Sequence, residues 1–503
     1  MPRSIRLQPG DNIAMAVDAF APGEDVLGVE VKERVPRGHK MALADIPVDG
    51  EIVKYGQVIG FASKPVAAGE WVHEHNVSMH DFARDYQFSA GRTNAAGVPE
   101  NQRRTFEGYR RANGKVGTRN YIAVLTSVNC SATAARHIVH EVEKSGVLKD
   151  YPNVDGVISL VHGTGCAIDT KGEAYDLLKR TQWGYATNPN VGGVLMVGLG
   201  CEAFQIPRWK ETYGIAESET FRTLTIQEVG GTRKTVEAGV KAVVGMLPLV
   251  NKAQRETVPV SELVLALQCG GSDGYSGVTA NPALGVAVDL LVAQGGTAIL
   301  SETPEIYGAE HLLTRRAETP DIGEKLVERI HWWEDYTARN RMEMNNNPSP
   351  GNKAGGLTTI LEKSLGAAAK GGSTNLMGVF NYAEPVTQRG LVFMDTPGYD
   401  PVSATGQVAG GANILCFTTG RGSAFGCKPT PSIKLASNNF LYDNMREDMD
   451  INCGDILDGV TLEQKGQEIF DEIIHVASGG RTKSEELGYG DNEFVPWSVG
   501  ATM

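Results

Sequence analysis

Between Tyr121 and Asp273 the chain repeats one pattern four times: an aliphatic run without polar alternation, closed by a short polar turn that carries a cysteine. The four are YIAVLTSVNC, GVISLVHGTGC, GVLMVGLGCE and LVLALQCGGSD. They end at Cys130, at Cys166, at Cys201 with Glu202, and at Cys269 ahead of Asp273. Runs of this length that do not alternate predict strands covered on both faces, hence a parallel sheet with helical crossovers. Ligands in such sheets bind beyond the carboxyl ends of the strands. The pattern predicts an enzyme whose thiols, far apart in the chain, meet at one edge of a central sheet.

Helical spacing fills the intervals. SATAARHIVHEVEKSG opens with a Ser/Thr cap, KGEAYDLLKRTQ follows Cys166, and TRKTVEAGVKAVVGMLPLVNKAQRE sets Val236, Val240 and Val243 on one face. RETVPVSE, around Pro259, marks a boundary, after which LVLALQC, the helix ALGVAVDLLVAQGG and the strand TAILSET restart the alternation. A long helical region over 309–340 stops at NNNPSPGNKAGG; ILEKSLGAAAKGG and LEQKGQEIFDEIIHVASGG predict helices, LVFMDTPG and ANILCFTTGRGSAFG strands, before a loose tail. Upstream, the short runs DNIAMAV, DVLGVEV, KMALADI, EIVKYGQVIGFAS and EWVHEHNV are punctuated by Gly, Pro and Asp, the rhythm of a small β barrel or clip. The reading is an α/β chain: a β domain over 1–89, a polar linker over 90–104, an α/β middle domain over 105–255 and a doubly wound parallel-sheet domain over 256–503.

Composition narrows the function. A length of 503 residues suggests two to four domains. A net charge of -13 argues against nucleic-acid binding, which needs a basic surface, but leaves room for a local cationic pocket. No apolar run reaches the roughly 18 residues that span a bilayer, so no membrane partner is expected, and MPRSIRLQPGDNIAMAV lacks the apolar core of a secretory signal. Seven cysteines, an odd number without an export signal, predict reduced thiols in the cytoplasm. For Cys416, Cys427 and Cys453 a role as small buried hydrophobes weighs equally with any chemical one.

Several polar groups stand where chemistry is done. PRGHK sets His39 and Lys40 on a turn, and VHEHN carries His73, His75 and Asn76. In a strand the two imidazoles of HxH face one side; the plainer alternative is a solvated edge strand. GYRRANGKVGTRNY, with Arg119 and Asn120, reads as an anion-binding or a solvated loop. GLG and QCGGSDG lack the full GxGxxG spacing with an acidic residue about 20 positions on, so no nicotinamide or flavin is expected.

Taken in order, GHK, VHEHN, GTRNY, VNC, HGTGC, GLGCE, QCGGSDGYSG, SETPE, NPSPGN, EKSLG, TTGRGS and MDIN resemble the altronate/galactarate dehydratase family, over residues 6–480. The resemblance implies an N-terminal β-clip domain of the SAF type, a middle domain that makes the contacts of a homodimer, and a C-terminal Rossmann-like domain. It also implies iron(II)-dependent dehydration of a sugar acid. The family includes sulfolactate sulfo-lyases, whose two parts are separate chains. In DMDINCGDI, Cys453 departs from the family pattern by replacing a small aliphatic residue.

Dehydrating a 2,3-dihydroxy carboxylate needs a base for the weakly acidic α-proton, a strong charge to stabilise the enediolate, and help for the leaving hydroxyl. A divalent metal supplies that charge as a Lewis acid. The candidate ligands are Cys130, His162, Cys166, Cys201 and Cys269, with Glu202 and Glu302 as oxygen donors; thiolate and imidazole suit iron or zinc. Fe2+, another divalent metal or a [4Fe–4S] cluster with one open iron all answer the need. His73 and His75 are the candidate base and acid, which requires the β domain to fold over the C-terminal rim. Lys40 and Arg119 are candidates to grip carboxylates, with His39, Asn76, Asn120, Lys370 and Arg421 as further substrate contacts. The competing readings are a sulfo-lyase that releases sulfite and a non-catalytic sugar-acid binding protein.

Overall fold

The computed structural model describes residues 2–80, 84–93 and 97–500. Residues 94–96 of the expected linker and 501–503 of the expected tail lie outside them. The N-terminal β-rich unit, called the SAF unit after the domain that the resemblance implies, is built from short antiparallel strands. One sheet runs Ser4–Ile5, Ile13–Ala16, Lys40–Ala42, Trp71–Val72, and a second runs Glu51–Lys54, Gln57–Ala62, Val77–Ser78.

The middle of the chain forms a parallel sheet in the order Gly156–Leu160, Tyr121–Thr126, Val191–Gly198, Phe221–Thr225. Its two inner strands, Tyr121–Thr126 and Val191–Gly198, bury both faces, which explains their lack of polar alternation. Ile122, Val124, Leu195 and Val197 pack under the helices Ala132–Ser145 and Thr232–Val250, while Ala123, Leu125, Val194 and Met196 join the large core shared with the C-terminal part. That part is a seven-stranded parallel sheet ordered Leu376–Phe380, Gly390–Met394, Thr297–Leu300, Val264–Cys269, Ile414–Thr419, Ser432–Ala436, Ile451–Asn452. Strand order reverses beside Val264–Cys269, where the chain crosses over to Ile414–Thr419.

Two expectations change here. The four cysteine-bearing strands do not share a sheet: those before Cys130, Cys166 and Cys201 are neighbours in the middle sheet, whereas Val264–Cys269 is central in the other. The Glu256–Pro259 strand pairs antiparallel with Thr105–Arg110 in a separate three-stranded sheet with Val116–Gly117. The described residues of the polar stretch, 90–93 and 97–104, are largely exposed but pinned: Gly91 N–H donates to Arg315 O at 2.7 Å, Thr93 N–H to Asn375 Oδ1 at 3.0 Å and Val98 N–H to Ala293 O at 2.9 Å.

The SAF unit docks directly on the C-terminal rim, through glycines that let backbones touch. A Cβ on Gly274 would lie 2.0 Å from Gly38 O, and one on Gly356 would lie 2.2 Å from the same atom. Beside this contact a charge triad is sealed from water. Lys40 and Lys54 donate to the two oxygens of Glu362, on the helix Ile360–Ala368, at 2.8 and 2.9 Å, and all three side chains are fully buried.

Candidate active site

Where strand order reverses, the loops after Val264–Cys269 and Ile414–Thr419 part to leave a cleft of about 400 Å3. This is the place at which open parallel sheets bind ligands. Arg37 of the SAF unit, Asp273, Arg421 and Asn438 line it. Asp273 is buried and accepts from Ser276 Oγ, Ser437 Oγ and Asn438 Nδ2, each at 2.9 Å. Burial still raises its carboxyl above the ordinary value. Gly420 is required here, because a Cβ would lie 2.2 Å from the Asp273 carboxyl carbon. Arg37 and Arg421 are exposed, and neither has an ion-pair partner among the described residues. The cleft therefore offers two guanidinium groups without a carboxylate partner among the described residues, Arg37 resting over the Phe440 ring at 5.9 Å; guanidinium is the forked donor best matched to carboxylates.

Four residues upstream of Asp273 lies a buried cluster. Among the described residues, Cys269, Glu302 and Glu305 are the one set of three His, Cys, Asp or Glu whose ligand atoms all lie within 4.8 Å of one another. Lys370 donates to Cys269 Sγ at 2.9 Å and to Glu302 Oε2 at 3.2 Å, and Lys363 donates to Glu305 Oε1 at 2.7 Å. Burial raises the Cys269 thiol, so it keeps its proton and donates to Glu305 Oε2 at 3.3 Å. Burial, and then the neighbouring Glu305, raise Glu302; burial would also raise Glu305, but Lys363 and Lys370 hold it low. Glu302 Oε1 is buried with no hydrogen-bond partner, and its backbone sits in the left-handed region at φ 70°, a disfavoured state for a residue with a Cβ.

The SAF residues divide. VHEHN is a turn, not a strand: Asn76 Oδ1 accepts from His73 N–H at 2.9 Å and Asn76 Nδ2 donates to Trp71 O at 2.9 Å. Asn76 thus holds the turn, and the two imidazoles do not share a face: His73 is buried and His75 exposed. His39 spends both ring nitrogens, accepting from Trp71 Nε1–H at 3.2 Å and donating from Nε2 to Ala354 O on the cleft wall at 3.3 Å. Lys40 is committed to Glu362 and to Gly356 O. His73 lies 4.8 Å from His39, ring centre to ring centre, and its Nδ1 is buried without a partner.

At the middle-sheet rim, Cys130, Cys166 and Cys201 are exposed. His162 donates from Nε2 to Thr126 O at 2.8 Å and accepts at Nδ1 from Thr164 N–H at 3.3 Å. Glu202 accepts from Ser127 Oγ and from the backbone of Leu199 and Gly200 at 3.1 and 2.6 Å. Arg119 makes a bidentate pair with Glu485 at 2.6 and 2.8 Å and donates to three backbone carbonyls. Asn120 ties Asn153 O to Val250 O. These four act on the protein's own backbone and side chains, because the folded loops supply partners that sequence does not reveal. Sequence reasoning missed Arg37, Glu305 and Lys363, though each lies within a quoted motif: PRGHK, SETPE and EKSLG.

Burial holds His39 and His162 down to about 4 and His73 to about 3, so all three are neutral when folded. Their ordinary value is 6.5, so on acidification the unfolded chain takes up protons that the folded state refuses. Stability should fall as pH drops from 6.5 towards 4. Urea midpoints at pH 7 and pH 5 check this, with the lower midpoint expected at pH 5; equal midpoints would contradict it.

Three family models match most of the chain. Residues 2–80 match the altronate/galactarate dehydratase SAF domain, 108–251 the second domain of D-galactarate dehydratase/altronate hydrolase, and 260–502 the C-terminal D-galactarate/altronate dehydratase domain. The chain is 40% identical to galactarate dehydratase (L-threo-forming) of Escherichia coli (strain K12), over 96% of this chain and 94% of that one. It is 36% identical to altronate dehydratase of Bacillus subtilis (strain 168), over 99% of each. It is 33% identical to the (2R)-sulfolactate sulfo-lyase subunit beta of Chromohalobacter salexigens, over 78% of this chain and 97% of that one. The chain belongs to the galactarate/altronate dehydratase family. It is accordingly a carbon–oxygen lyase.

Proposed function

We propose that this enzyme dehydrates a hexarate to a 2-keto-3-deoxy acid, by abstraction of the α-proton and elimination of the β-hydroxyl. The observation that carries the reading is the pair of arginines without a carboxylate partner among the described residues, Arg37 and Arg421, at the strand-order reversal. A hexarate has two carboxylates, one for each guanidinium, whereas an aldonate has one. Likeness to galactarate dehydratase over nearly the full length supports the same substrate class.

The chain's own residues divide the work. Arg37 and Arg421 hold the substrate and favour the charge that builds up on its reacting carboxylate. His73 Nδ1 takes the α-proton. The ring is neutral, its Nδ1 has no competing hydrogen bond, and it stands one ring away from His39, which bonds to Ala354 of the cleft wall. A bound dianion raises the basicity of His73 by opposing Lys40, which helps burial to depress it.

For the iron that the family resemblance implies, Cys269, Glu302 and Glu305 fit by donor type and spacing, and the unpartnered Glu302 Oε1 is a free donor. These residues would hold it, with Lys370 yielding its place between Cys269 and Glu302. When bound, it supplies Lewis-acid stabilisation.

Anaerobic, iron-supplied protein incubated with a panel of aldarates and aldonates should release 2-keto-3-deoxy acid. Turnover of none of them, or sulfite release from sulfolactate in their place, would sink the proposal. In the same assay Arg421→Ala should lower kcat/KM by roughly 10- to 100-fold for a hexarate, the loss of one charge-assisted carboxylate contact. The effect on an aldonate should be smaller; equal losses would remove Arg421 from the second carboxylate.

A further inference from the structure

Four of the seven cysteines are buried, and Cys130, Cys166 and Cys201 are exposed. Cysteine is among the residue types most often fully buried, so three exposed thiols on neighbouring loops call for a reason other than packing. They follow three adjacent parallel strands, Gly156–Leu160, Tyr121–Thr126 and Val191–Gly198, at the carboxyl edge of the middle sheet.

The loops are laced together. Asn129 N–H donates to Thr164 O at 3.0 Å, Phe204 N–H donates to Gly165 O at 3.0 Å, and Ser127 Oγ donates to Glu202. Gly165, next to Cys166, sits so close to the Cys130 loop that a Cβ would lie 2.2 Å from Ser127 O. The other donors on this rim are spent, since His162 and Glu202 bond to backbone and Ser127. What remains is an all-sulfur set, which selects soft metals and iron–sulfur clusters and disfavours magnesium or calcium.

Two features separate a cluster from a single ion. The three sulfurs are not gathered within 4.8 Å of one another as the Cys269 set is, and a cluster spreads its thiolates over separate irons. The set also stops at three. Beside it, Asn129 and Thr164 line a cavity of about 860 Å3 whose far wall includes Pro397, Tyr399 and Trp497. We propose that Cys130, Cys166 and Cys201 hold a [4Fe–4S] cluster whose fourth iron, without a thiolate, is left to take an oxygen ligand: water, hydroxyl or carboxylate. The site is distinct from the cleft of Arg37 and Arg421.

The test is metal and sulfide analysis with visible absorption on the full chain, purified without oxygen. About four irons beyond any held by the Cys269 set, and about four acid-labile sulfides, are expected per chain, with a broad visible band that bleaches in air. Cys130→Ser, Cys166→Ser and Cys201→Ser, each checked for folding by circular dichroism, should lose band and sulfide, while Cys269→Ser keeps both. Iron without sulfide, zinc in its place, or a band that survives the three serine variants overturns the proposal. An inactive protein with the band and sulfide supports the cluster and counts against the substrate reading. An active protein without sulfide does the reverse.

Discussion

Glu362→Ala should destabilise the protein by about 3–5 kcal/mol, the usual cost of stranding a buried charge. Here two lysines are stranded, since Lys40 and Lys54 share that one carboxylate at 2.8 and 2.9 Å with no exposure to solvent. Burial already lowers Lys40 to about 8 with its partner present. Because the triad crosses from the SAF unit to the helix Ile360–Ala368, the loss should show as release of the SAF unit. Limited proteolysis near 84–104 and urea denaturation read both effects. Replacing all three residues by apolar ones of similar volume should restore much of the stability. A Glu362→Ala protein with wild-type midpoint and protease resistance would show that the triad does not secure the docking. Acid should imitate the substitution. Burial would raise Glu362, but Lys40 and Lys54 hold it below its ordinary 4.5. Its contribution is therefore complete above 4.5 and declines as pH falls below that.

His73→Gln should lower kcat by about 10²–10⁴-fold, the range expected for a general base, with little change in KM. His75→Gln should stay within a few-fold, because His75 is exposed on the outer side of the same turn. Exchange of the substrate α-proton with solvent deuterium separates a chemical role from a structural one. A base variant loses exchange and turnover together while its urea midpoint holds. If His73→Gln kept wild-type exchange, the proton would be taken elsewhere, and Lys370 of the buried cluster becomes the first alternative.

Much of this site could be read from the chain before any contact was known. The aliphatic runs ending in cysteine gave strands, and the carboxyl-end rule placed Cys130, Cys166, Cys201 and Cys269 at rims. What local pattern does not carry is which strands pair, so a single rim was expected where two sheets exist. The same limit explains Arg119 and Lys40. A cation in a glycine-rich or turn-forming motif looks free until its partners, Glu485 and Glu362, arrive from more than 300 residues away. His73 and His75 were paired by strand periodicity, which Asn76 defeats by closing a turn. Glu305 stood in the open in SETPE, three residues after Glu302, but only the left-handed turn at Glu302 and the approach of Lys363 show that both carboxylates reach Cys269.

The joining of the SAF unit and the C-terminal rim around one substrate is tested most directly by a crystal structure of the His73→Gln variant soaked with galactarate. Its two carboxylates should lie on Arg37 and Arg421, with the carbon chain spanning the 400 Å3 cleft. Galactarate seated instead in the larger cavity between Asn129 and Trp497, with both arginines still facing solvent, would contradict the account.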